Sequence, residues 1–455
     1  MKNYDAIVIG SGSGMLIVDE ALARGWKVAL VDRGPLGGTC PNLGCIPSKM
    51  LIFPADRIVE IQEAGKLGID ARVMGVDFQA IMERMRKSLR KNQRHMQKAI
   101  SQMAKLDFYK GEGHFSSDYT VSVNGEEIRG DKIFIACGSR PFIPPIKGLE
   151  SSGYLTNETV LGLKERPDSV IIIGGGYIGV EYGHFLAAVG ARVTILEMAD
   201  RLVLAEEAEI SGLLKKALSR RLDISLSTQA EEVRGAGGEV KVMVRDIRNG
   251  ARREMAARKI MVAVGRRSNA DLLRVENSGV ETDKRGFVKV NDYLETSKKN
   301  IFAVGDANGQ QMFTHVANRE AAIAAHNALH DDKVKMDYSA IPHAVYSCPQ
   351  IASVGLTEEA ARARHDVLVG RAKYSDVAKG EAMMENEGFA KAIVARDSRR
   401  ILGFHIIGPY APILIQEVVN AMQSGGHGDE INDGIHIHPA LSELVQLTLS
   451  NLEES

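Results

Sequence analysis

The feature that most constrains this chain is a pattern that occurs twice: a short apolar run, a glycine-rich turn, a helical stretch and a second apolar run. The first copy opens with strand-like residues 4–9 and turns at Gly10-Ser11-Gly12-Ser13-Gly14-Met15; a helix then runs to about Arg24, followed by a strand at Lys27–Val31. The second opens at Val170–Ile173, turns at Gly174-Gly175-Gly176-Tyr177-Ile178-Gly179, runs as a helix to Val189 and closes at Arg192–Leu196. Short apolar runs bounded by glycine read as strands buried on both faces, as in a parallel sheet. A strand, a tight turn and a helix N-terminus make an anion site, because backbone N–H groups and the helix dipole converge there. Two copies in one chain imply two dinucleotide sites.

The two turns are not identical. In the first, Gly10 permits the tight turn and Gly12 lets a pyrophosphate approach the backbone, but the third fingerprint position is Met15, with Gly14 beside it. Asp32 follows at the distance expected of a carboxylate that accepts from ribose hydroxyls. The second is a full Gly-x-Gly-x-x-Gly through Gly174, Gly176 and Gly179, and Glu197 ends its second strand. A carboxylate there pairs with both ribose hydroxyls of NAD and repels the 2′-phosphate of NADP, so NAD(H) is expected over NADP(H). Arg201, four residues on, is the cation nearest in sequence to such a phosphate.

Between the copies lies Gly37-Gly38-Thr39-Cys40-Pro41-Asn42-Leu43-Gly44-Cys45-Ile46-Pro47-Ser48-Lys49. Four cysteines in 455 residues do not make a disulfide scaffold. A zinc site wants about four ligands, and Cys40 and Cys45 have no second pair nearby. Cys137 and Cys348 sit in apolar segments and read as buried small hydrophobes. A redox pair is the better reading for Cys40 and Cys45.

The length suggests about three domains, and a net charge of -1 gives no global field for nucleic acid or anionic membranes. The apolar run Ala6–Gly10 is too short for a signal segment or a spanning helix, and no later window reaches spanning length. A cytoplasmic location is expected, where a disulfide is usually catalytic. Residues 78–106 read as a long helix, rich in Arg and Lys from Arg84 to Lys98, whose charges form a solvated face. Residues 111–136 and 230–264 alternate as small antiparallel sheets, and an α+β domain without a nucleotide fingerprint begins near residue 340.

Further segments complete the pattern: Ile135-Ala136-Cys137-Gly138-Ser139-Arg140-Pro141, Val264-Gly265-Arg266, Thr296 to Asp306, and His436-Ile437-His438-Pro439-Ala440-Leu441-Ser442-Glu443. Together they resemble the flavin-dependent pyridine nucleotide–disulfide oxidoreductases, which include dihydrolipoamide dehydrogenase, glutathione reductase, mycothione reductase and mercuric reductase. The resemblance implies an α/β chain with two Rossmann-like dinucleotide-binding domains, for FAD and NAD, plus a C-terminal α+β dimerisation domain. The expected boundaries are 1–143 and 269–335 for FAD, 144–268 for the nicotinamide nucleotide and 336–455 for the interface.

The same resemblance implies roles for individual residues. Asp306, after Gly305, bonds the ribityl chain, and Thr39, Ser139, Arg140 and Gly265 join the cofactor-binding set. Cys45 faces the flavin, Cys40 exchanges with substrate sulfur, and Lys49 shares a helix face with Cys45, partnered by Glu181. His438 is the general base, oriented by Glu443, with Pro439 suited to the first turn of a helix. His436 and His438 as a metal pair lack a third ligand, so no metal is expected. In the family the His–Glu dyad reaches the disulfide of the other subunit, which implies a homodimer with shared active sites.

The substrate reading is a hybrid. Cys-Ile-Pro-Ser-Lys, Leu196-Glu197 and the His-x-His-Pro run are similar to dihydrolipoamide dehydrogenase. The first glycine turn, His315 to Ala321, Pro349 to Gly355 and the Asp376–Gly380 segment are similar to mycothione reductase. The expected activity is the dihydrolipoamide dehydrogenase type, on a lipoyl-bearing protein or a small-molecule disulfide. A mycothione-type reductase is the alternative, and a flavoprotein with mainly an assembly role is an alternative of another class. Glu197 disfavours glutathione reductase, and the absence of extra cysteine pairs disfavours mercuric reductase.

Overall fold

The computed structural model describes residues 1–235 and 238–453. The chain first forms β1 (Lys2–Ile9), α1 (Gly14–Ala23), β2 (Val28–Asp32), α2 (Thr39–Leu43), α3 (Cys45–Glu63) and α4 (Phe78–Ser101). Five strands follow: β3 (Leu106–Lys110), β4 (Gly113–Ser117), β5 (Thr120–Val123), β6 (Glu126–Ile135) and β7 (Ser139–Pro141). The second glycine turn joins β8 (Ser169–Ile173) to α5 (Tyr177–Ala188), and β9 (Arg192–Leu196), α6 (Ala208–Leu218) and β10 (Asp223–Ser225) come next. Then come β11 (Thr228–Arg234), β12 (Val240–Asp246), β13 (Arg252–Ala257), β14 (Lys259–Val262) and β15 (Arg266–Ser268). The rest is β16 (Ile301–Ala303), α7 (Thr314–Leu329), β17 (Pro342–Val345), β18 (Ile351–Gly355), α8 (Glu358–Arg362), β19 (Val367–Lys373), α9 (Ala378–Ala382), β20 (Phe389–Ala395), β21 (Ile401–Ile407), α10 (Ala411–Ser424), α11 (Gly428–Asn432), α12 (Glu443–Ser450) and β22 (Leu452–Glu453).

These elements gather into two compact units. The first holds Met1–Ser48, Met82–Phe142 and Gly265–Asp337. Its sheet runs β3-β2-β1-β6-β5-β4, with β16 also on β6. The strands β1, β2, β3, β6 and β16 are parallel, and β4 and β5 close the sheet antiparallel. Ile7 and Val8 point to opposite faces of β1 and both are fully buried, as a central parallel strand requires. One side of the sheet packs Ile7, Val31, Phe115, Ile133 and Ile301 into a common core.

The second unit holds Lys49–Ile81, Ile143–Val264 and Tyr338–Ser455. A parallel sheet β10-β9-β8-β14 carries the second glycine turn, beside a three-stranded antiparallel sheet β11-β12-β13. A six-stranded antiparallel sheet β17-β18-β21-β20-β19-β22 forms the C-terminal part. Its core is built from Tyr374, Phe404, Ile406 and Val418.

Three expectations change in detail. The helix expected over residues 78–106 ends at Ser101, because Leu106 enters β3 and pairs with Val28 of β2. Residues 111–136 do form antiparallel strands, but β6 also pairs parallel with β1, so they extend the main sheet. Of residues 230–264, the last stretch leaves the antiparallel sheet as β14 and pairs with β8. Among the described residues no helix is long and apolar enough to cross a membrane.

Candidate active site

Both glycine turns are tight for the same reason. Gly10 has φ 109°, and a Cβ on it would lie 2.1 Å from the Ala136 carbonyl oxygen. Gly174 has φ 111°, and a Cβ on it would lie 2.4 Å from the Ala263 oxygen. In each case the turn crosses the end of a neighbouring parallel strand with no room for a side chain. Gly12 faces Gly38 across the first turn, where a Cβ on Gly38 would lie 2.8 Å from the Gly12 Cα. In the second turn nothing lies within 4 Å of a Cβ built on Gly176. Each turn thus leaves backbone free for close approach at the start of a helix, which fits the pyrophosphate of a dinucleotide.

Carboxylates pin both turns. Asp32 accepts from Ser11 N at 2.6 Å and Gly34 N at 2.5 Å. Glu197 accepts from Gly175 N at 2.6 Å and Ala199 N at 2.8 Å. The third glycines differ. A Cβ on Gly179 would lie 2.0 Å from the Gly174 oxygen, whereas one on Gly14 would lie 2.9 Å from a methyl carbon of Val8. Arg201 donates through Nη2 to the Leu204 oxygen at 3.2 Å.

The cysteines lie on consecutive helices. Cys40 is the second residue of α2 and Cys45 the first of α3; both are thiols. Thr39 opens α2, and Asn42 is tied by its side-chain amide to the Leu36 and Gly38 oxygens, both at 2.8 Å. Cys45 Sγ lies 3.6 Å from Oγ1 of Thr314, the first residue of α7. A hydrogen bond with Cys45, and then burial, push the Cys40 thiol far up. Burial pushes Cys137 up to about 12 and Cys348 up to about 11, so neither is a thiolate near neutrality.

Ser139, Arg266 and Asp306 meet in the first unit. Ser139 Oγ donates to Asp306 Oδ2 at 2.5 Å and accepts from Arg266 Nε at 2.6 Å. Gly305 N donates to buried Glu320, which also takes the Asn308 amide at 2.9 Å. Arg140 makes a two-pronged pair with Asp271 at 2.9 and 2.6 Å, and Gly265 O accepts from Phe142 N at 2.9 Å.

In the second unit Lys49 Nζ reaches both oxygens of Glu181, at 3.0 and 2.8 Å, and lies over the Tyr346 ring. Tyr346 N donates to Glu181 as well, at 3.0 Å. One turn earlier on α5, Tyr177 donates to Glu206 at 2.9 Å. The Glu206 side chain is wholly buried and also takes His343 Nε2 at 2.7 Å and Ser353 Oγ at 2.6 Å. Burial pushes the Glu206 carboxyl up, but hydrogen bonds from His343, Ser353 and Tyr177 outweigh it and hold the group below its usual range.

His438 Nδ1 lies 2.9 Å from Glu443 Oε1, and Ala440 N donates to the other oxygen at 2.9 Å. These two bonds hold the Glu443 carboxyl below its usual range. With Nδ1 turned to Glu443, Nε2 is the outward nitrogen of a ring that is 71% exposed. The neighbouring His436 pairs instead with Glu417 at 3.0 Å. Pro439 does not open a helix: α12 begins at Glu443.

The family model for pyridine nucleotide-disulphide oxidoreductases matches residues 4–321, and the model for the dimerisation domain of that family matches residues 341–448. The chain belongs to this family. It is 35% identical to the mycothione reductase of Mycobacterium tuberculosis, over 99% of the chain and 100% of that protein. It is also 35% identical to the dihydrolipoyl dehydrogenase of Chlorobaculum parvum, over 97% of the chain and 96% of that protein. The mercuric reductase of Lysinibacillus sphaericus is 32% identical over 98% of the chain and 82% of that protein. Among solved structures it matches the HOCl-induced flavoprotein disulfide reductase RclA from Escherichia coli. That match has a TM-score of 0.88 and 29% identity, covering 98% of the chain and 99% of that structure.

A pyridine nucleotide–disulfide oxidoreductase binds FAD and a pyridine nucleotide and acts on sulfur groups, and its dimerisation domain indicates a homodimer. Within one chain of this oxidoreductase the cysteines pair, Lys49 pairs with Glu181, His438 with Glu443, and Ser139 with Asp306. The sequence reading missed Thr314, Arg266 in its contact with Ser139, and Tyr346. Thr314 carried a signal: it stands immediately before the His315–Ala321 run that resembles mycothione reductase. Tyr346 gave none, since it acts on Glu181 partly through its backbone N–H.

Proposed function

We propose that the protein is an NAD(H)-linked dithiol–disulfide oxidoreductase of the dihydrolipoamide dehydrogenase type. The observation that carries this reading is Glu197, a carboxylate fixed at the second turn by two backbone N–H groups. Its remaining lone pairs suit ribose hydroxyls, and its charge opposes a 2′-phosphate.

In the oxidised enzyme Cys40 and Cys45 form a disulfide. His438, steadied by Glu443, takes the proton from one substrate thiol. The resulting thiolate attacks the Cys40 sulfur; that bond forms as the Cys40–Cys45 bond breaks, and Cys45 leaves as a thiolate. As the second substrate thiol attacks the substrate sulfur bonded to Cys40, His438 hands the first proton to the departing Cys40 sulfur and takes the proton of the second thiol, ending protonated. The substrate leaves as a disulfide and Cys40 departs as the sulfur that is protonated. The pair has gained two electrons and the substrate has lost two. Lys49 stabilises the Cys45 thiolate by charge, and Glu181 holds Lys49 in place. Bound flavin supplies the two-electron link from the dithiol to the nicotinamide. Asp32, Asp306, Ser139 and the Gly10–Gly14 turn would hold FAD; the Gly174–Gly179 turn and Glu197 would hold NAD.

A substrate panel tests this reading: dihydrolipoamide with NAD+ against small thiol disulfides with NADH or NADPH. Oxidation of dihydrolipoamide by NAD+ is expected to dominate. Equal or better use of NADPH with a small disulfide would replace it by the mycothione-type reading, which the first glycine turn favours. Shared sites are tested by mixing inactive Cys40→Ser and His438→Ala protomers under exchange. Each heterodimer has one intact site, so activity should return. If exchange is shown and none returns, His438 acts within its own chain.

A further inference from the structure

Helix α4 has two faces of different character. Its inner face carries buried Met82, Met85 and Ile100. From the same helix Gln93 donates to the Leu36 oxygen and to Asn42, and the Met96 sulfur would lie 2.7 Å from a Cβ on Gly37. The helix therefore buttresses the segment that carries Cys40. Its outer face holds Lys87, Lys91, Arg94 and Lys98, all exposed. Their spacing of four, three and four residues puts them in one stripe about 16 Å long, at ~1.5 Å per residue.

Among the described residues none of these four makes an ion pair. The helix has seven Lys and Arg against a single Glu, in a chain whose net charge is -1. Like charges three and four apart oppose helix formation. Folding alone thus gives no reason for the stripe, whereas an anionic partner does.

The chemistry of that partner can be narrowed. A helix that lies on a membrane offers an apolar face to the bilayer, but the large apolar residues of α4 are buried or half-buried in the protein. Nucleic-acid surfaces pair wide basic patches with exposed aromatic groups, and no aromatic residue lies among Arg84–Lys98 apart from His95. A small disulfide is shorter than the stripe. A carrier protein with clustered carboxylates fits its length and charge, and the inner face of the same helix supports the redox segment.

We propose that Lys87, Lys91, Arg94 and Lys98 form a docking surface for an acidic protein that bears the dithiol substrate. The inference rests on the dihydrolipoyl reading above. Its test uses two synthetic dihydrolipoyl-lysine peptides, one flanked by glutamates and one by glutamines, with free dihydrolipoamide as the third substrate. The holoenzyme should show a KM about tenfold lower for the acidic peptide at low salt, and the difference should shrink as salt screens the charges. Changing all four residues to Gln should abolish that preference and leave turnover of free dihydrolipoamide unchanged, with thermal melting confirming the fold.

Equal KM for the two peptides in the unaltered enzyme, or a preference that survives the quadruple change, overturns the proposal. So does tighter stripe-dependent binding of phosphatidylserine vesicles or duplex DNA than of the acidic peptide. Dissociation of the dimer in the quadruple variant makes the stripe a subunit contact and also overturns it. If free dihydrolipoamide is not oxidised, the dihydrolipoyl reading fails by itself. Binding of the glutamate peptide without its lipoyl group, read by fluorescence anisotropy, still decides the docking surface: loss of binding in the quadruple variant supports it, and no binding to either protein sinks it.

Discussion

The turn after β1 and the turn after β8 begin alike and end differently. At the first glycine each has a positive φ, a carbonyl oxygen where a Cβ would stand, and a carboxylate gripping the next backbone N–H. At the third position they part. Helix α5 starts three residues after Gly174, and Gly179 lets its first turn close onto the Gly174 oxygen. Helix α1 starts four residues after Gly10, and Gly14 makes room for side chains of the sheet, Val8 and the Ala136 methyl. The first glycine answers to backbone that cannot move. The third answers to wherever the helix happens to begin, so Met15 is the mark of a longer turn and not of a damaged site.

The largest effect should come from the shared position. Gly10→Ala and Gly174→Ala each combine a disfavoured φ with a clash against backbone, together about 4 kcal/mol. Both should lower the melting temperature sharply, Gly10→Ala with loss of flavin; a melting curve matching the unaltered protein would break the claim that the turns are equivalent. Next comes Gly179→Ala, which meets backbone at an ordinary φ and should cost about 2–3 kcal/mol by denaturant unfolding.

Third, the two carboxylates should prove equivalent in geometry and different in outcome. Glu197→Gln should reduce the preference for NADH over NADPH by about tenfold in kcat/KM, since charge repulsion is lost. Asp32→Asn should weaken flavin retention and leave that preference alone. If both changes move the nucleotide preference, the division of labour between the turns is wrong. A smaller effect is expected of Gly14→Ala, where the nearest neighbours are side chains that can shift: about 1 kcal/mol. Met15→Ala should stay within about 0.5 kcal/mol. A larger loss at Met15 than at Gly14 would return the third-glycine role to position 15.

What the sequence made legible has a local cause in each case. Glycine spacing, strand-end carboxylates and the cysteine interval are short-range patterns: each glycine turn and its carboxylate belong to one strand–turn–helix–strand run, and the cysteines lie on the consecutive helices α2 and α3. Periodicity also located β6 and β14, but it does not say which neighbour a strand chooses. That is why the pattern alone assigns β6 to a small antiparallel sheet, whereas it is also the parallel partner of β1. The partners of Thr314 and Tyr346 were hidden for a similar reason, although the run that follows Thr314 marked its neighbourhood. Each acts on a residue more than a hundred positions away in sequence, Cys45 and Glu181, and neither carries a group whose chemistry announces itself.

The buried Glu206 has a practical consequence for anyone who wishes to cut this protein into pieces. Its donors come from both sides of a natural-looking boundary: Tyr177 before it, His343 and Ser353 after it. A nucleotide-binding fragment ending at residue 268 would keep the carboxylate and lose two of its three donors. Leaving a buried charge stripped of partners costs about 3–5 kcal/mol, a large part of a typical domain's stability. Such a fragment is expected to express poorly or to bind its nucleotide weakly, and extending it through Gly355 restores the missing donors only if the intervening chain is kept. The smallest autonomous nucleotide-binding piece of this chain is therefore larger than its nucleotide-binding motif.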